Sequence, residues 1–325
     1  MPQIIAARWG KKMKKIITCV LMATLVFMLG GCGQEKEKKA DKLQELTIGT
    51  MPDVDSIPFI IAQEKGYFQD EGLTVHIKPF KSAMDRDSAL QSGNLDGAIS
   101  DMLAVAFAKA GGFDVKITSS TSGSYKLVAG AKETSSSMQE LKDKEIAISK
   151  NTIIEYVTDK ILAESKMAEN SIHKVVIPQI PTRLEMLQNG KLTAATLPEP
   201  MASIAIANGA KLIHSSDQLM INPGIMIFTS KATANKRAEL QAMYRAYNRA
   251  VDYLANEKQE KYIDLLIEKG GFPPAVKESL VLPKYKKAQL PTEKDINDCM
   301  KWLKDKDLIK IQYVYDDLVD RSLLK

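Results

Sequence analysis

The residues able to do chemistry are few and scattered. Three histidines, His76, His173 and His214, lie far apart, and three cysteines, Cys19, Cys32 and Cys299, form no CxxC pair. No HExxH, Walker A, GxGxxG or GxSxG pattern occurs, so neither metal chemistry, ATP hydrolysis nor a Ser-centred hydrolase is signalled. No cofactor is expected. What remains is a set of polar residues just after short apolar runs: Pro52, Asp53, Asp55 and Ser56; Ser82, Ala83 and Arg86; Ser100 and Asp101; Ser120; Asn151 and Thr152; Arg183; Glu199; and Asn222. Carboxylates outnumber cations in this set. A dianionic ligand would leave them unpaired in a desolvated site, so the pattern suits a ligand with amine or amidine character, or a zwitterion.

Positioning such residues needs strands that end at one cleft. From Leu46 the chain alternates strand and helix. Leu46–Thr50, 73–77, 98–100 and 115–119 read as strands, and 57–61, 83–92 and 101–110 as helices. The same grammar returns after 131, with strands at 145–149, 175–177, 194–197 and 211–214 and helices at 152–166, 183–189 and 201–208. This order predicts α/β lobes with mostly parallel sheets flanked by helices, whose ligands bind beyond the carboxyl ends of the strands. Residues 46–130 plus 221–325 are assigned to lobe I and 131–220 to lobe II, with crossings near 120–132 and 220–228 as a hinge. The stripe Leu240, Met243, Tyr244, Tyr247, Val251 and Leu254 reads as core. So does Cys299, which shares a helical face with Ile296, Met300 and Leu303.

Several site candidates have a second reading. Thr152-Ile-Ile-Glu155 and Thr182-Arg-Leu-Glu185 match the capping box, which makes Thr152 and Thr182 N-caps first and ligand contacts second. Ser56, Ser82 and Asp101 each fit a cap as well as a ligand contact.

The 325 residues carry 45 basic and 40 acidic side chains, a net charge of +5. Arg8, Lys11, Lys12, Lys14 and Lys15 stand in residues 1–31, which hold no acid, so the rest of the chain is balanced at 40 each. That removes the case for nucleic-acid binding. Lys14-Lys15 followed by the apolar run Ile16–Leu29 is too short to span a bilayer and reads as an export signal. Its exit, Leu29-Gly30-Gly31-Cys32, resembles the bacterial lipobox, which implies cleavage before Cys32 and a lipid on its thiol. Met13 is an alternative start. Residues 33–45 then form a polar tether of at most about 45 Å, holding a body, expected as a monomer, outside the cytoplasm at the membrane.

Three segments carry a wider resemblance: LTIGTMPDVDSIPFIIAQEKGYFQDEGLTV from Leu46, SALQSGNLDGAISDMLA at 88–104, and RLEMLQNGKLTAATLPEP at 183–200. Over residues 46–325 the chain resembles the nitrate/sulfonate/taurine-type substrate-binding proteins of ABC importers, a family that includes binders of thiamine pyrimidine precursors. The resemblance implies the two-lobed type II periplasmic-binding fold, a small-molecule ligand held between the lobes, and an ABC permease with its ATPase subunit as partners. It implies no enzyme activity. The alternatives are an enzyme on the same fold acting on a bound metabolite, or a lipoprotein serving a sensor. The Cys-rich metal motif of fungal thiamine-pyrimidine synthases has no match among these three cysteines.

Overall fold

The computed structural model describes residues 43–324. The export signal, Cys32 and most of the tether lie outside the described residues. Ten strands form two five-stranded sheets. They are β1 (Leu46–Thr50), β2 (Val75–Pro79), β3 (Gly97–Asp101), β4 (Val115–Ser120), β5 (Tyr125–Ala129), β6 (Glu145–Ile148), β7 (His173–Val176), β8 (Ala194–Pro198), β9 (Lys211–Ser215) and β10 (Gly224–Thr229).

The first sheet runs β2-β1-β3-β10-β4 and the second β7-β6-β8-β5-β9. Both follow one plan: four strands run the same way, and one antiparallel strand is inserted between the third and fourth. The inserted strand arrives from the other lobe. β5 follows β4 directly and enters the second sheet; β10 follows β9 and enters the first. This corrects the assignment of residues up to 130 to lobe I, because β5 pairs with β8 and β9 in lobe II. Its apolar run fits either lobe; only pairing decides.

The central strands are buried on both faces, as expected where helices cover a sheet, while the edge strands β2, β7 and β9 are partly exposed. Leu46 and Ile48 of β1, Leu127–Ala129 of β5 and Ala194–Ala195 of β8 have no exposed surface. The helix Arg237–Asn256 buries the Leu240, Met243, Tyr244, Tyr247, Val251 and Leu254 stripe, as its 3.6-residue period predicts. Cys299 is likewise core, and burial pushes its thiol pKa up.

The C-terminal helix Glu293–Asp305 ties the lobes together. Its chain continues to Val319, which bridges Ile117 of β4. Its Trp302 stacks edge-on against Tyr156 of the lobe II helix Ile153–Glu164, with ring centres 5.7 Å apart. The Trp302 indole N–H donates to Asp159 Oδ2 at 3.2 Å, and Lys306 Nζ reaches the same oxygen at 2.7 Å.

Candidate functional site

Strand ends and helix starts of both lobes converge on a cavity of about 40 Å³. From lobe I come Asp53, Ala83, Arg86, Ser100 and Asp101; from lobe II come Tyr125, Ser149, Thr152 and Arg183. The jaws meet directly around it. Ile180 N–H donates to Lys81 O at 3.0 Å, Val54 N–H to Glu199 O at 3.0 Å, and Gln179 Nε2 to Asp85 Oδ2 at 3.1 Å. The cavity is barely larger than a water molecule, so an organic ligand requires the jaws to part.

Asp101 has both of the roles its sequence position allowed. Oδ1 accepts from Leu103 and Ala104 N–H at 3.1 and 2.9 Å, capping the helix Met102–Ala110. Oδ2 faces lobe II and accepts from Ile153 N–H at 3.4 Å, the first turn of the opposing helix. Burial raises its pKa, opposed by the charge of Arg86. Thr152 accepts from Ile154 N–H at 3.2 Å as the N-cap of that opposing helix, and also lines the cavity. Glu155 completes a variant of the capping box by accepting from Asn151 N–H at 2.7 Å rather than from Thr152.

Asp53 and Asp55 form a buried carboxyl pair. Burial and the Asp55 charge push Asp53 up to about 8, against the pull of Ser56 and Arg86. Burial pushes Asp55 to about 6, against the hydrogen bond from Tyr125. Ser56 serves this pair: its hydroxyl lies 2.7 Å from Met51 O and 3.0 Å from Asp53 Oδ1, and it caps no helix through its side chain.

Asp55 sits where both crossings between the lobes pass. A Cβ on Gly123, in the first crossing, would lie 2.5 Å from Asp55 Oδ2; one on Gly224, in the second, would lie 3.3 Å from Oδ1. Both positions thus exclude side chains and let the hinge close around one carboxyl. Tyr125 OH donates to Asp55 Oδ2 at 3.4 Å. Asn222 ties the crossings to each other, donating from Nδ2 to Thr121 O at 2.5 Å and accepting from Gly224 N–H at 3.3 Å.

Two cations enter the cavity wall. Arg86 donates from Nη1 to Ile99 O at 3.1 Å and pairs with Asp87 at 2.8 Å. Arg183 is fully buried, and its Nε and Nη1 donate to Thr196 O and Ile177 O at 2.9 and 2.7 Å. Among the described residues no carboxylate pairs with it, and burial alone lowers its pKa to about 9. Its Nη2 and the Ser100 hydroxyl are buried without partners.

Other candidates fall elsewhere. Glu199 is not open to the cavity: it pairs with Lys126 and accepts from Ser203 N–H and Oγ at 3.1 and 2.8 Å. Its partner was hidden because Lys126 lies on the strand that changes lobe. Glu199, Ser120 and Asn222 border a separate hollow of about 560 Å³ beside the hinge. Ser82 is spent on capping, accepting from Asp85 N–H at 3.2 Å, and Asn151 holds a left-handed turn with φ of 58°. Pro52 lines an outer groove rather than the cavity. Thr182 caps nothing, because its helix starts earlier, at Ile180, with Gln179 as N-cap. Tyr125 and Ser149, absent from the sequence candidates, line the cavity because the antiparallel β5 starts there and β6 ends there.

The model of the NMT1-like family matches residues 39–267, most of the chain. The chain belongs to the NMT1-like family. No curated protein matches its sequence. Among solved structures, the alkanesulfonate-binding protein SsuA from Xanthomonas axonopodis pv. citri, bound to MOPS, superposes with a TM-score of 0.75 at 18% identity, covering 87% of this chain and 100% of that one. The zinc-bound ligand-binding component of an ABC-type import system from Staphylococcus aureus gives 0.70 at 14% identity, covering 86% and 98%. The nitrate-binding protein NrtA from Synechocystis PCC 6803 gives 0.60 at 14% identity, covering 71% and 68%. At these identities the likeness shows the fold, which is the two-lobed α/β periplasmic-binding architecture expected from the sequence. Among the described residues of this NMT1-like chain, no group of three or more His, Cys, Asp or Glu could hold a metal ion.

Proposed function

We propose that this protein is a lipid-anchored, extracytoplasmic solute-binding protein that captures a small organic molecule between its lobes and hands it to an ABC permease powered by a separate ATPase subunit. The observation that carries this reading is the convergence of helix starts and charged side chains from both lobes on one interlobe cavity. A ligand that touches both jaws favours the closed form by its differential contacts, and the closed form is what a permease can recognise. The Leu-Gly-Gly-Cys32 exit and the polar tether support anchoring at the membrane.

The ligand carries an amine or amidine, alone or as part of a zwitterion. Asp53 and Asp101 bring two buried carboxyls to the lobe I wall of the cavity, where Arg86 is the neighbouring cation. A ligand cation would complete their neutralisation, while Arg183 offers a place for an acidic group. An aminopyrimidine or a taurine-like zwitterion meets this description. Binding without turnover is the role assigned, by likeness to the alkanesulfonate-binding protein on which the chain superposes.

Mass spectrometry of the compound released from purified residues 33–325, followed by calorimetry with that compound, tests the proposal. A bound amine or zwitterion is expected. Tight nitrate or sulfate binding with amines silent would overturn the charge assignment. Turnover of the released compound would overturn the binding role.

A further inference from the structure

Another hollow adjoins the interlobe cavity. It is a groove of about 450 Å³ walled by Pro52, Phe80 and Pro273 from lobe I and by Pro181, Leu184 and Met201 from lobe II. Charge is confined to Lys81 and Glu185 among its walls.

The groove and the cavity share their dividing wall. Met51, Ile180 and Arg183 face the cavity, while Pro52, Pro181 and Leu184, each the next residue in the chain, face the groove. The same two segments, residues 51–52 and the helix Ile180–Gln188, thus wall both hollows, and only Arg183 among these inward residues brings charge. Because both hollows straddle the lobes, parting the jaws opens them together and joins them. The cavity alone, at about 40 Å³, holds no more than a compact polar group. The rigid, proline-rich groove supplies the volume that the cavity lacks, and an apolar concavity of this kind marks a binding surface.

We propose that the captured solute has two parts: a compact amine- or amidine-bearing head seated against Asp53 and Asp101, and an apolar body lying in the groove between Phe80, Pro181 and Leu184. This rests on the solute-binding reading above and adds a substrate class to it. Wholly hydrophilic solutes are then poor ligands, because they leave the groove walls wet on closure.

Calorimetric titration with n-alkylamines from methylamine to octylamine tests it. Affinity should rise about fourfold for each added methylene once the chain passes the dividing wall, from about 0.8 kcal/mol per buried CH₂. Pro181 is exposed on the first turn of its helix, so Pro181→Glu leaves the fold intact, and it should flatten the series without changing methylamine binding. Phe80→Ser provides an independent second variant. A flat series in the native protein, with methylamine bound, overturns the two-part solute and leaves the solute-binding reading standing. A slope unchanged in both variants places the chain elsewhere and also overturns it, including where the variants impair only permease-dependent uptake. If no amine binds at all, the amine head of the underlying reading falls, and this inference falls with it.

Discussion

Replacing Asp53 and Asp55 together by Asn should change how the stability of this protein depends on pH. Both carboxyls are buried, and their pKa values are raised to about 8 and about 6 from 3.8. A raised carboxyl pKa means that the folded state binds more protons than the unfolded chain. The stability it contributes is therefore fully present below about pH 4 and is lost as pH rises through 6 and then 8. The two charges act on each other, so the pair is treated as one site holding about one proton over this range. Each pH unit then costs about 1.4 kcal/mol, or about 4 kcal/mol between pH 5 and pH 8. For a body of this size that is about 8 °C in Tm. Asn keeps an oxygen to accept from Ser56 and Tyr125 but cannot ionise. Differential scanning calorimetry at pH 5 and pH 8 should show the native protein losing about 8 °C more than the double variant, since every other group titrates in both. Equal losses would mean that the pair ionises freely, and the picture of a carboxyl clasped between Gly123 and Gly224 would be wrong.

Three further outcomes are expected. Asp101→Ala removes a helix cap and should cost about 1 kcal/mol in urea unfolding, while weakening ligand binding through the lost contact with lobe II; unchanged affinity would reduce Asp101 to a cap. Lys126→Met strands the buried Glu199 carboxylate and should destabilise the fold by about 3 kcal/mol, measured by denaturant titration; a loss below about 1 kcal/mol would show that the pair does not hold β5 to β8. Trp302→Ala removes the Tyr156 contact and the Asp159 hydrogen bond and should cost about 3 kcal/mol; a loss below about 1 kcal/mol would show that the C-terminal helix does not brace lobe II.

Much of this protein is legible along the chain because the signals are local. Period-two and period-3.6 patterns place the strands and helices, the core stripe of Arg237–Asn256 and the burial of Cys299. Charge counting assigns the net +5 to residues 1–31, and the family resemblance carries the fold. Asp53, Ala83, Ser100, Asp101, Thr152 and Arg183 follow from one rule, that ligands bind past strand ends, and the structure brings these six to one cavity.

What tertiary structure alone decided is pairing over long separations. Strand β5 reads the same in either lobe; its hydrogen bonds to β8 and β9 put Lys126 beside Glu199 and bring Tyr125 into the cavity. The clasp on Asp55 joins residues 55, 123 and 224, and the apolar groove joins five separate segments. Sequence periodicity states which face of an element is apolar; which surface that face meets depends on how the chain crosses between its two sheets.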